Sequence, residues 1–342
     1  MKIALDAMGH DAGPAPLIEG AALALREFPD IAELHLCGDT ARIEAELKRI
    51  GCNDRRISIL HATQVVEMHD SAVDAVRRKK DSSVSRAVEL VKSGTTDGFV
   101  SAGHTGAAVA ASTIKLRTLP GIERPGIAAT MPTETNLFVL IDAGANTDPT
   151  PRQMLDNALM GAVYSQHVLG YKNPSVGLMS IGTEDEKGND FTRESFELIK
   201  ASGLNFRGNV EGHDLFENPV EVVVADGFTG NIVLKTSEAI AHAIFRWMKN
   251  EIKKGVITSL GGALARPALK RIHQKTNSDE YGGMPLLGVN GVCIIAHGGS
   301  SPIAIKNAIR MAAESIRHQV NPHIVEAVQR HHEQNPQPHA AA

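Results

Sequence analysis

Apolar runs of strand length recur along the chain, and nearly all of them run into glycine: KIALDAM (2–8), ELHLCG (33–38), FVSAG (99–103), LFVLIDAG (137–144), SVGLMSIG (175–182), VEVVVADG (220–227) and VCIIAHGG (292–299). Between them, apolar residues return every three to four positions, which predicts helices from Leu17 to Arg26, Ser83 to Val91, Thr105 to Arg117, Met154 to Leu169, Ser195 to Ala201, Ile232 to Ile252 and Ile303 to Ile316. Repetition of strand, glycine turn and helix implies βαβ crossovers and a largely parallel sheet covered on both faces. The expected fold class is therefore α/β, a three-layer α/β/α sandwich with a Rossmann-like sheet. Such sheets bind ligands beyond the carboxyl ends of their strands. Those are the positions where this chain places its small and polar residues.

A length of 342 residues is within reach of one large α/β core. We expect one α/β/α unit over residues 1–332 and a disordered tail over 333–342, EQNPQPHAAA, which has no apolar anchor. With 42% hydrophobic and 22% charged residues the chain has ample material for a core, and a formal charge of −4 gives no electrostatic reason to expect nucleic acid. Cys37, Cys52 and Cys293 are odd in number and widely spaced, without a Cys-x-x-Cys pair, which argues against a disulfide framework and against a zinc site, and no metal is expected. The N-terminus MKIALDAMGHD is too polar for a signal peptide, and no run approaches the ~18 apolar residues of a spanning helix, so a cytoplasmic location is expected.

Several strand-end loops offer groups for an anion. SAGHTGA (101–107) enters a helix at Thr105, where free backbone N–H groups and the helix dipole favour negative charge, and Ser101, His104 and Thr105 add donors around Gly103 and Gly106. A tight strand-to-helix turn needs the same glycines without any ligand. DAGAN puts Asp142, Gly144 and Asn146 at another strand end, and Asp6 and Asp11 flank Gly9 after the first strand. Asp and Asn also serve such turns by bonding their own backbone. SIGTEDEKGND (180–190) sets Glu184 and Lys187 before Gly188, and a lysine there can reach a phosphate; as a bare charge run it reads as a solvated loop. DGFTGNIVLK (226–235) holds Asp226, Gly227, Gly230 and Asn231, with Asn231 at a helix start as a neutral donor or as a cap. His297 in AHGGSS stands at a further strand end. Signatures of serine hydrolases, P-loop NTPases, zincins and dinucleotide-binding turns are missing.

Taken in order, DAMGHD (6–11), AVRRKKDSS (75–83), SAGHTGA, GIERPGIA (121–128), DAGAN, SIGTEDEKGND, GNVEG (208–212), DGFTGNIVLK, YGGMPLLGVNG (281–291) and AHGGSS (296–301) resemble the motifs of the acyl-acyl carrier protein:phosphate acyltransferase (PlsX) family, from residue 2 to about 320. Two departures stand out, His10 in place of glycine and His104 in place of asparagine; the second suggests a pH-dependent affinity for phosphate.

The resemblance implies a fold similar to phosphate acetyltransferases and to isocitrate and isopropylmalate dehydrogenases. It also implies acyl transfer from acyl carrier protein to inorganic phosphate without a cofactor, by a homodimer whose product feeds a membrane glycerol-3-phosphate acyltransferase in phospholipid synthesis. Lys187 and Asn231 would be catalytic and the remaining loop residues would bind substrate. A phosphate acetyltransferase acting on coenzyme A thioesters and a non-catalytic scaffold for lipid-synthesis proteins are the alternatives. Residues 253–275 form a basic stretch free of acids, in which Ile257, Leu260 and Leu264 recur at helical spacing, Pro267 should interrupt the helix, and Leu269 precedes Lys270 and Arg271. We expect reversible contact with the inner membrane face there, as a kinked hairpin tip, with burial in a dimer interface as the competing role.

Overall fold

The computed structural model describes residues 1–217 and 220–334. Its strands are β1 (Lys2–Asp6), β2 (Glu33–Gly38), β3 (Ile57–His61), β4 (Gly98–Ser101), β5 (Gly126–Pro132), β6 (Leu137–Ile141), β7 (Val176–Met179), β8 (Phe206–Val210), β9 (Val222–Val224), β10 (Met284–Leu287) and β11 (Val292–Ile295). The helices are α1 (Ala15–Glu27), α2 (Thr40–Arg49), α3 (Ala72–Arg78), α4 (Ser83–Lys92), α5 (Thr105–Lys115), α6 (Pro151–His167), α7 (Asp190–Lys200), α8 (Gly227–Ile252), α9 (Val256–Thr276), α10 (Ser278–Tyr281), α11 (Pro302–Arg317) and α12 (Val320–Gln334).

The strands form one continuous sheet in the order β3-β2-β1-β4-β11-β10-β5-β6-β9-β7-β8. Alternate residues of the apolar runs feed opposite layers. Ile3, Leu5, Val100, Val139 and Ile141 pack in one core, whereas Ala4, Phe99, Phe138 and Leu140 pack in the other. Burial on both faces is why the strands read as nearly unbroken apolar stretches.

Pairing is parallel from β3 through β11 and again from β6 through β8. At the centre β10 runs antiparallel to both β11 and β5, and β5 runs antiparallel to β6. Three successive reversals leave β6, β9, β7 and β8 pointing opposite to β1, β4 and β11. The two parallel halves therefore carry their carboxyl-terminal loops at opposite edges of the sheet.

The central strands are shorter than the apolar runs that contain them, because the polar residues closing each run form the loops. Helix starts follow side-chain chemistry. Thr150 and Gln153 make a capping box on α6, and Ser301 accepts the Ala304 N–H before Pro302. Three expectations are corrected. Helix α8 starts at Gly227, where the Asp226 carboxylate accepts the Thr229 N–H at 2.8 Å, so Asn231 lies one turn inside the helix and is not its cap. Helix α9 runs through Pro267 without a break. Both Pro267 and Ala263 are exposed, so water can bond the carbonyl that loses its intrahelical donor. Helix α12 extends to Gln334, so residues 333 and 334 are helical; the rest of the expected tail, 335–342, lies outside the described residues.

Helices α8 and α9 form a hairpin that is tightly packed at Gly262, where an added Cβ would sit 2.3 Å from Ile252 Cγ2. Phe245 and His273 meet edge to face across it with ring centroids 4.9 Å apart. Only Gly227 and Gly230 are buried in α8, and nothing in α9 is. Val256 and Ile257, at the turn, are 89% and 87% exposed, and Leu260, Leu264 and Ile272 are exposed too, whereas Leu269 is half-buried.

Candidate functional site

The loops after β1, β4 and β11 form a first group. Ser101 Oγ donates to Asp6 Oδ2 at 2.8 Å, and burial pushes the Asp6 carboxyl above its ordinary pKa against the hydrogen bonds from Ser83 and Ser101. Gly9 and Gly103 touch backbone to backbone. Asp11 N–H donates to Gly298 O at 2.9 Å, which ties the first loop to the AHGGSS loop. Asp6, Gly9, Ser101 and His104 enclose about 10 Å³, room for about one water.

His104 caps α5. Its Nδ1 accepts the Ala107 N–H at 3.2 Å, and its Nε2 lies 3.1 Å from the Asp70 carbonyl, so the ring donates there. His10 is used likewise, with Nδ1 accepting from Ala12 N and Nε2 against Ser300 O. Both histidines serve the backbone. In this arrangement neither ring has a nitrogen directed at an anion.

Beside this group a cavity of about 230 Å³ opens between β5, β10, α8 and the AHGGSS loop. His297, Gly299, Ser300, Asp279 and Tyr281 line it together with Leu234, Glu238 and His242 of α8. Sequence reasoning missed the α8 residues. Their signal was the spacing 234, 238, 242, which places them on one helical stripe.

The loops after β6, β7 and β9 form a second group. Asp142 is fully buried, and its carboxylate is spent on the chain itself. Oδ1 accepts from the N–H groups of Ile127, Gly144 and Ala145, and Oδ2 from Ala145 and Asn146, at 2.7–3.1 Å. Burial raises the Asp142 pKa while these donors oppose it. Asn146 donates its amide to Gln153 Oε1 at 2.9 Å, and its carbonyl accepts the Gly227 N–H. Helix α8 presses onto this loop at Gly230, where an added Cβ would lie 2.0 Å from the Asp142 carbonyl oxygen. Only glycine permits that approach. It delivers the Asn231 side chain against Gly144.

Lys187 lies in the loop after β7, one strand from β9, with its ammonium 4.0 Å from Glu184 Oε1 and half exposed. Gly188 accepts from Arg193 through its carbonyl, and Asn209 donates to the Glu184 carbonyl at 2.7 Å, which holds the loop at both ends. Lys187, Asn231, Asp142, Gly144, Asn146, Glu184, Gly188, Asp226, Gly227 and Gly230 thus share one sheet edge. Asp6, Gly9, Asp11, Ser101, Gly103, His104, Thr105, Gly106 and His297 share the other.

A profile of the fatty acid synthesis protein family matches residues 1–323. The chain belongs to that family. It is 47% identical over 336 residues to a phosphate acyltransferase of Akkermansia muciniphila, covering 96% of each chain, and 48% identical over 329 residues to one of Geotalea daltonii, covering 96% of this chain and 94% of the relative. The protein is accordingly an enzyme of an acyltransferase family, which sets the scaffold alternative aside. Solved structures with the same fold include a phosphotransacetylase from Streptococcus pyogenes, with a TM-score of 0.61, 19% identity and 94% of each chain covered. A branched-chain phosphotransacylase from Enterococcus faecalis matches with a TM-score of 0.56 and 12% identity over 92% of this chain and 99% of its own. The expected kinship of fold with phosphate acetyltransferases holds.

Proposed function

We propose that the protein transfers an acyl group from acyl carrier protein to inorganic phosphate, giving acyl phosphate for phospholipid synthesis. A phosphate oxygen attacks the thioester carbonyl, a tetrahedral oxyanion forms, and the carbon–sulfur bond breaks. The proton carried by hydrogen phosphate ends on the released thiol. Lys187 would hold phosphate and Asn231 would orient it or donate to the oxyanion, in the manner of preorganised donors at a developing charge.

One observation supports this reading: Lys187, after β7, and Asn231, on the helix after β9, follow neighbouring parallel strands at one sheet edge. Cys37 and Cys293 are buried in the sheet, and burial pushes the Cys37 thiol far up and that of Cys293 to about 12. Neither is suited to form a thiolate. Phosphate supplies the nucleophile instead.

The relatives' shared name supports phosphate as acceptor. The carrier is tested by incubating the purified protein with phosphate and either acyl-acyl carrier protein or acyl-coenzyme A and measuring acyl phosphate. Product from the carrier protein alone supports the proposal, and product from coenzyme A alone would assign the phosphate acetyltransferase-like role. We further propose that the protein works as a homodimer whose hairpin turn, led by Val256, Ile257 and Leu260 with Lys253, Lys254, Lys270 and Arg271 nearby, contacts the cytoplasmic membrane face and passes product to a membrane glycerol-3-phosphate acyltransferase. Among the described residues no helix is long and apolar enough to cross a membrane. Surface contact through a few aliphatic side chains and cations fits that hairpin.

A further inference from the structure

We infer that a recess between α6, α12 and the turn before β8 binds a phosphate-bearing anion, either free phosphate or a phosphate with a short aliphatic body. This second site stands independently of the acyl-transfer reading. Gln153, which holds Asn146 at the second loop group, and His167, fourteen residues further on, are separated by roughly 21 Å along α6. The recess thus lies most of a helix length from the loops that hold Asn146 and Asn231.

Its lining has the composition of an anion site. The recess encloses about 250 Å³, at the small end of ligand cavities, which suits a phosphate with a few carbons at most. Leu159, Val163, Leu204 and Ala327 give it an apolar wall. His167, His323, Arg330 and His331 give it four basic side chains, and no Asp or Glu is among its lining residues. In a chain of formal charge −4 this is a local concentration of positive and proton-donating groups.

The basic groups are crowded and under-used. His167 and His323 stack with ring centroids 3.8 Å apart and planes 10° from parallel. Burial, followed by the His323 ring, holds His167 below its ordinary pKa; His318 and Arg330 push the same way and Glu326 opposes them. Glu326 Oε2 lies 3.4 Å from His323 Nδ1, and among the described residues no hydrogen bond engages His323 Nε2 or either nitrogen of His167. Arg330 spends its Nε on the Glu326 carbonyl at 3.3 Å and makes no salt bridge among the described residues. Its terminal nitrogens keep the planar fork that fits phosphate oxygens. His331 is tied to the Ser202 backbone, and burial lowers its pKa, so it closes the wall as a neutral ring at pH 7.

A phosphate group answers both features. It accepts from the Arg330 guanidinium and from an imidazole N–H, and its negative charge offsets the mutual repulsion of the basic groups. A short aliphatic body would lie against the leucine and valine side chains.

The test is amide hydrogen exchange on the full-length protein with inorganic phosphate, n-butyl phosphate or n-butanol. Peptides covering 159–169 and 320–334 should gain protection from a phosphate; at about ten times its Kd, exchange through openings that release the ligand slows roughly tenfold. Equal protection by both phosphates assigns the phosphate group alone, and protection by n-butyl phosphate only assigns the apolar wall a share. Protection by n-butanol equal to that by n-butyl phosphate overturns the inference, as does protection confined to the loops 142–146, 180–190 and 226–235. Arg330→Gln and His167→Gln/His323→Gln should each raise the half-effect concentration about tenfold or more, as for loss of a hydrogen bond to a charged group. Arg330 is exposed, so its variant carries the test even where the histidine variant fails to fold. An unchanged half-effect concentration in Arg330→Gln overturns the assignment. Failure of acyl transfer to phosphate would leave all of these outcomes as they are.

Discussion

Gly9 and Gly103 approach so closely that a Cβ built on either would lie 2.9 Å from the other's Cα. The first and fourth strands thus deliver their loops into direct backbone contact, with Asp6 and Ser101 hydrogen-bonded just behind. A methyl group cannot enter without parting the loops. Gly103→Ala should therefore destabilise the protein by ~1–3 kcal/mol, the range for overpacking, and lower turnover more than stability alone explains. Thermal unfolding and initial rates check this; wild-type values for both would show that the loops part freely.

Replacing Lys187 or Asn231 with Ala should each reduce turnover by ~10²-fold or more, as for loss of a donor to a transition state. Asn231 sits on a helix pinned by Gly230, so Asn231→Asp keeps its shape while reversing the donor's character, and it should be as damaging as Ala. Steady-state kinetics on folded variants decide. Unchanged kinetics in Lys187→Ala would remove that residue from the catalytic set.

Asp156 on α6 is fully buried, and burial raises its pKa to about 6, outweighing the Glu123 N–H at 3.2 Å and the Arg152 guanidinium. An unfolded aspartate titrates near 3.9, so the native state holds the extra proton between roughly pH 4 and 6. Stability from this group is full below about pH 4 and is lost as pH rises through about 6, on the order of 3 kcal/mol in all. Asp156→Asn should flatten that slope and raise stability at neutral pH. Denaturant unfolding from pH 4 to 8 would show it, and parallel curves for the two proteins would refute it.

The hairpin turn offers a test of membrane contact independent of the active site. Val256→Glu/Ile257→Glu should abolish sedimentation with anionic liposomes and leave turnover in solution intact, since neither side chain packs on the fold. The same outcome is expected for Leu260→Glu/Leu264→Glu. Loss of the dimer in either variant would assign those side chains to protein contact.

Most strands and helices, the α/β/α class and the identity of the loops were legible in the chain, because alternate burial on two faces and the glycine turns are written in local residue order. Ten motifs in sequence also carried the family. Elements with weaker local signals were not read: α2 has one buried residue, and β5 and β10 are the central antiparallel strands whose partners lie far along the chain. His104 looked like an anion ligand because composition cannot show that both its nitrogens serve the backbone. Pro267 looked like a break because a residue's own preference says nothing of the solvent around its helix. The division of the loops between two edges depends on strand direction, which three antiparallel pairings decide. Those pairings join residues more than 150 positions apart at β10 and β5, where local pattern ends and only long-range packing chooses.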